Sequence, residues 1–148
     1  MLRREDLVEI ALRYAWAFQG TWYKWGGDDP SGLDCSGLVV EVLQAVGLLD
    51  ARRDLGAQAL YQQYPAVKTP MPGCLAFWGG GPQAVGHVEM VVAICGDRVL
   101  TIGAKGGGSK TLTVDAAIRQ NAFVKVRPVL GPGARTDFVG YNDPFLVR

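Results

Sequence analysis

The chain has 148 residues, 49% of them hydrophobic, enough for one domain with a proper core and too short for two ordinary ones, so residues 1–148 are read as a single unit. A formal charge of +1 with 20% charged residues supplies no basic field of the kind that nucleic acids or anionic membranes draw on, which sets both aside as partners. Arg3, Arg4, Glu5, Asp6, Glu9 and Arg13 interrupt the N-terminal Met1 to Gln19, leaving no apolar run for a signal peptide or membrane span.

Three cysteines, Cys35, Cys74 and Cys95, are too few and odd in number for a disulfide framework, so at least one thiol is expected free. Leu7, Ile10, Ala11, Tyr14, Ala15 and Phe18 recur at three- and four-residue spacing, which predicts an amphipathic helix from about Arg4 to Phe18. Trp22 to Leu33, with Gly26, Gly27, Pro30 and Gly32, reads as an irregular loop. From Cys35, the residues Leu38, Val39, Val42, Leu43 and Val46 again follow helical spacing until Gly47, with Asp34 as N-cap. A weaker helix is expected over Leu55 to Gln63, ended by Pro65, Pro70 and Pro72.

The rest reads as sheet: Cys74 to Trp78, Gly86 to Ile94, Arg98 to Ala104 and Phe123 to Val129 are rich in strand formers, with a helical turn or two at Asp115 to Asn121. Helices first and strands later, with hairpin-length connections, predict an α+β domain around an antiparallel sheet.

Two residues carry the chemistry. Cys35 sits in the first turn of its helix, where partial positive charge and unpaired N–H groups favour a thiolate; a small buried core cysteine is the competing reading. His87 is the sole histidine, and so the one side chain that exchanges protons near neutral pH without a large pKa shift. In its strand His87, Glu89 and Val91 share one face, while Val88, Met90, Val92 and Ile94 make an apolar face directed at the core. His87 and Glu89 are then expected to point away from the core, as a base in a cleft would.

Four segments in order, Tyr23-Lys24-Trp25-Gly26-Gly27, Asp34-Cys35-Ser36-Gly37-Leu38, Pro72-Gly73-Cys74-Leu75-Ala76-Phe77-Trp78 and Gly86-His87-Val88, resemble the NlpC-like family of cell-wall peptidases, a compact papain-like group. The C-terminal Asp137 to Phe145 looks like phage-associated members of it. The resemblance implies Cys35 as nucleophile and His87 as general base, acting through an acyl-enzyme without a cofactor. It also implies Tyr23 beside the nucleophile, and a peptidoglycan stem peptide as substrate, cut between D-glutamate and the diamino acid. Trp25, Asp34, Ser36 and Trp78 are candidate substrate contacts, and the Gly79 to Gly81 run a candidate cleft wall. A wall substrate lies outside the cytoplasm, so virion association, release on lysis or a dedicated exporter is expected, as part of a phage tail or lysis apparatus.

The family usually orients its catalytic imidazole with a third polar residue on the neighbouring strand, often histidine; here Gly103 stands at that place. A turn through Cys95-Gly96-Asp97, with Ile94 opposite Arg98, pairs Val92 with Leu100, Met90 with Ile102 and Glu89 with Gly103. Glu89 is therefore the expected orienting group. A solvent-facing Glu89, with Thr101, a carbonyl or water orienting His87 instead, is the competing expectation.

Gly103 to Thr111 approaches a phosphate-binding loop, but Ser109 separates Gly108 from Lys110 and no good helix former follows, so nucleotide binding is not expected. No metal site is expected, because His87, Cys74 and Cys95 lack ligand spacing. Two other functions stay open: a Cys-His acyltransferase, and an inactive wall-binding or phage tail structural domain.

Overall fold

The computed structural model describes residues 2–29 and 31–146. Its first helix, α1 (Arg4–Ala17), ends on Phe18 as C-cap and turns Val8, Ala11 and Ala15 inward. The following loop is less irregular than expected: β1 (Asp28–Asp29) and β2 (Gly32–Leu33) pair antiparallel within it, and Tyr23 forms a bridge to Leu33. Pro30, assigned to that loop from sequence, lies outside the described residues.

Helix α2 (Cys35–Ala45) starts at Asp34, whose side chain accepts from the Gly37 amide at 2.7 Å. Its inner face buries Leu38, Val39, Val42 and Leu43 almost completely, each such side chain being worth about 1.5–3 kcal/mol of transfer free energy. Gly37 is required by close approach, since a Cβ there would lie 1.9 Å from the Gly27 carbonyl oxygen. The loop and the start of α2 are thereby pressed together. Helix α3 (Ala57–Gln63) follows, two residues shorter at its start than the sequence suggests.

The main sheet has six antiparallel strands: β3 (Ala66–Val67), β4 (Leu75–Gly79), β5 (Val85–Cys95), β6 (Arg98–Lys105), β7 (Phe123–Pro128) and β8 (Phe138–Asn142). Their spatial order is β3-β8-β4-β5-β6-β7, so the last strand inserts between two earlier ones. Helix α4 (Val114–Gln120), capped by Thr113, connects β6 to β7.

One face of the sheet carries Leu75, Phe77, Val88, Met90, Ile102 and Val124 and packs with the first three helices into the principal core. The opposite face carries a smaller cluster: Ala76, Trp78 and Val129 pack there with Phe138 and Tyr141. Glu89 on that face has no exposure and His87 has 7%. His87 and Glu89 lie on the face away from the principal core, as the alternation predicts, and the competing expectation of a solvent-facing Glu89 is corrected.

The β5–β6 hairpin departs from the expected register and then rejoins it. The turn is the two residues Gly96 and Asp97, so Cys95 pairs with Arg98, Ile94 with Val99 and Ala93 with Leu100. A bulge between Val91 and Ala93 then absorbs one residue, and Val91 pairs with Thr101 and Met90 with Ile102. Beyond the bulge the pairing is the expected one, and Glu89 faces Gly103.

Replacing Gly37 by Ala is expected to cost about 2–4 kcal/mol of unfolding free energy, because backbone rather than a flexible side chain occupies the space. Denaturant unfolding of Gly37→Ala measures it.

Candidate active site

Cys35 is partly exposed at the first position of α2, where Asp34 holds the helix start from two sides. One Asp34 oxygen accepts from the Gly37 amide at 2.7 Å and the other from the Gly26 amide at 3.0 Å. Burial raises the Asp34 pKa against the opposing effect of these amides. Ser36 donates to Asp34 at 3.4 Å. Among the described residues, the Cys35 and Ser36 amides have no acceptor, so two N–H groups at the helix start stay available.

His87 enters from β5, whose start is fixed by α3. Gln58 accepts from the Val85 amide at 2.7 Å and donates to the Pro82 carbonyl at 3.0 Å. The imidazole lies between two residues: Cys35 shares a hollow with it on one side, and on the other its Nε2 meets Glu89 Oε2 at 2.6 Å. With Nε2 so engaged, Nδ1 is the nitrogen left for the thiol. Burial alone would depress the imidazole pKa, but the hydrogen bonds and charges of Cys35 and Glu89 outweigh it and hold His87 up at about 9.

Glu89 is saturated. Its Oε2 also meets Lys105 Nζ at 2.9 Å, and Oε1 accepts from Thr101 Oγ1 at 2.7 Å. Burial would raise its pKa, yet the hydrogen bond to His87, the charges of His87 and Lys105 and the Thr101 hydroxyl bring it down to about 2. A Cβ on Gly103 would fall 2.3 Å from Glu89 Cγ, so the Glu89 side chain fills the space that a side chain at 103 would need. Thr101, a competing orienter of His87 in the sequence reading, bonds to Glu89 instead.

Two hollows meet at Cys35. The first, about 550 Å³, runs along His87, Ala104, Lys105 and the 106–108 glycines to Arg127 and Arg135. The second, about 620 Å³, runs along Asp34, Ser36, Gly56, Gln58, Gln62 and Val85. Tyr23, Trp25, Cys35 and Gly86 belong to both. Tyr23 is 5% exposed and its phenol pKa is raised by burial and by Cys35, so its hydroxyl stays protonated and is a donor.

Of the candidate substrate contacts, Trp25, Asp34 and Ser36 line the second hollow. Trp78 does not. It is 2% exposed and packs its ring against that of His87, with centroids 5.5 Å apart, because strand alternation directs it into the smaller cluster. The Gly79 to Gly81 run likewise lines neither hollow and forms the β4–β5 connection. Lys105, Arg127 and Arg135 were not singled out from sequence; the first two follow from strand alternation beside Gly103, whereas Arg135 comes from an irregular segment with no periodic signal.

Cys74 is buried, and burial raises its pKa to about 11, leaving it an inert thiol. Among the described residues no three His, Cys, Asp or Glu side chains gather as metal ligands, and no helix is long and apolar enough to cross a membrane.

With this geometry in place, comparison with known proteins is decisive for the family. The NlpC/P60 family profile matches residues 20–128, and the chain belongs to that family. Protein P54 of Enterococcus faecium is 35% identical over 91 residues, 58% of this chain and 16% of that protein. An NlpC/P60 family protein from Bacillus cereus superimposes with a TM-score of 0.72 at 20% identity, over 98% of this chain and 44% of its own. The peptidoglycan hydrolase RipB of Mycobacterium tuberculosis gives 0.66 at 27% identity, covering 95% and 67%. RipD of the same organism, a non-catalytic NlpC/P60 domain protein adapted to peptidoglycan binding, gives 0.60 at 18% identity, covering 91% and 94%. The chain thus spans less than half the length of the Enterococcus and Bacillus proteins.

The raised His87 pKa sets the expected alkaline limit of any reaction in which the imidazolium donates a proton. Activity should fall as pH rises through about 9, where His87 loses that proton. Glu89→Gln removes a charge that raises the His87 pKa, so the alkaline limb of kcat/KM should move to lower pH. An unchanged limb in a folded Glu89→Gln protein contradicts this assignment.

Proposed function

We propose that the protein is a cysteine peptidase that hydrolyses amide bonds in the stem peptides of peptidoglycan, with Cys35 as nucleophile and His87 as its proton partner. The observation that carries this reading is the placement of Cys35 and His87 on one hollow, beside a second that also reaches Cys35, with Glu89 Oε2 2.6 Å from His87 Nε2. A nucleophile, a base and a group that fixes the base are the minimum for acyl transfer.

In the proposed cycle the Cys35 thiolate attacks the amide carbonyl carbon while the protonated His87 stands beside it. The unspent Cys35 and Ser36 amides, with the Tyr23 hydroxyl close by, are suited to take the developing negative charge on the carbonyl oxygen. The C–N bond then breaks, the His87 proton passes to the leaving amine, and a thioester remains on Cys35. Neutral His87 next takes a proton from water as it attacks the thioester, which frees the acid product and returns the Cys35 and His87 pair. Glu89 holds the ring in one orientation throughout and favours its charged form.

Peptidoglycan as substrate is supported by membership of a family that includes the hydrolase RipB. The bond between D-glutamate and the diamino acid is the one we propose is cut. Since the wall lies outside the cytoplasm, the proposal includes extracytoplasmic action. RipD favours a second reading, in which the domain binds wall peptides without cutting them.

Mass spectrometry of peptidoglycan digested by wild type and by Cys35→Ala tests the hydrolase reading. New stem-peptide fragments are expected from the wild type alone, and identical products from both remove the proposal. Alkylation separates the second reading: iodoacetamide should label Cys35 quickly near pH 6 if the thiol is activated, whereas a rate equal to that of a free thiol favours simple binding.

A further inference from the structure

The hollow on the His87 side has a charge pattern that acyl transfer alone does not require. Lys105, Arg127 and Arg135 wall it, and among the described residues no acidic side chain lines it, Glu89 lying buried beneath. Three of the four cations in this region are already engaged. Lys105 is paired with Glu89, and Arg135 with Asp137 through contacts of 2.7 and 3.0 Å. Lys125, next along the sheet, donates to the Asn121 carbonyl at 2.7 Å and lies 4.0 Å from the Phe123 ring centroid.

Arg127 differs from these. Among the described residues its guanidinium has no hydrogen bond, ion pair or ring contact, although it is half-buried. Register explains where it stands: Arg127 pairs with Thr101, and so projects from the same face as Thr101 and Lys105, the two side chains that hold Glu89. Of the charges around the hollow, Glu89 and Asp137 offset two of the three lining cations. One positive charge is left over, since in the proposed thiolate–imidazolium pair Cys35 and His87 offset each other.

A planar guanidinium with five free N–H donors, half withdrawn from water in a groove of surplus positive charge, suits a bidentate carboxylate partner. We infer that Arg127 forms a carboxylate subsite in this hollow and that the protein selects stem peptides carrying an ionised carboxylate over those in which it is amidated. This rests on the hydrolase reading for its substrate and for the first arm of its test, but not for the second.

Two arms keep the failures apart. In the first, the wild type is given a synthetic L-alanyl-γ-D-glutamyl-diaminopimelate peptide with all carboxylates free, and forms in which one carboxylate at a time is a carboxamide. One carboxamide form should lose about tenfold or more in kcat/KM, chiefly through KM. That preference should shrink to within about twofold in Arg127→Gln and partly return in Arg127→Lys. Equal kcat/KM for every peptide in the wild type, or a preference unchanged in Arg127→Gln, overturns the subsite.

The second arm needs no peptidase activity. Cys35 Sγ displaces iodide from iodoacetate or from neutral iodoacetamide, forming a thioether either way, and the ratio of the two rates reports the local preference for a carboxylate. That ratio should fall about threefold or more in Arg127→Gln, and an unchanged ratio overturns the inference. If no peptide is cut while the ratio still depends on Arg127, the hydrolase reading fails and the subsite stands.

Discussion

Burying an ionised carboxylate costs several kcal/mol unless neighbours replace the water it loses. Glu89, with no exposed surface, meets that demand through His87, Lys105 and Thr101. Much else follows from keeping those three around it. Thr101 and Lys105 must lie two residues either side of Gly103 on one strand face, and β5 must face β6 in a single register. The bulge at Val92 provides that register, since without it every partner beyond the bulge would move by one residue and Glu89 would face a core-directed side chain.

Cys35, the proposed nucleophile, is held by a separate set of contacts. Asp34 ties the Gly26 and Gly37 amides together, and the loop carbonyl at Gly27 rests against Gly37. Gln58 of α3 secures the approach to His87 through the backbone at Pro82 and Val85. Thiol and imidazole therefore come from elements fixed independently, and they meet at one end of a well-packed core. Such support from rigid elements is what holds a reactive pair to a few tenths of an ångström.

Much of this was legible in the sequence because it rests on local signals. Periodicity placed α1 and α2 to within a residue or two, Asp34 marked the start of the second helix, and runs of strand formers located β4 to β7. The facing of Glu89 and Gly103 was reached through a hairpin drawn with a three-residue turn. The true turn is one residue shorter and the bulge restores the count, two deviations of opposite sign that no periodic pattern encodes. Strand β8 escaped notice because Phe138–Asn142 is short and interrupted by Gly140, and its place between β3 and β4 is a matter of long-range pairing. The same insertion sets Phe138 beside Trp78, with ring centroids 5.8 Å apart, and Trp78 is buried between it and His87 instead of lining the cleft.

The close approach at Gly103 also bears on how this arrangement can change over generations. Residues 89 and 103 compete for one volume, so a side chain added at 103 collides with Glu89, while trimming Glu89 leaves a void beside an unpaired Lys105. Each single replacement is unfavourable, yet a joint exchange that moves the polar group from β5 to β6 conserves both the space and the partner for His87. The two positions share one volume, so a side chain as large as histidine at 103 fits only beside a small residue at 89.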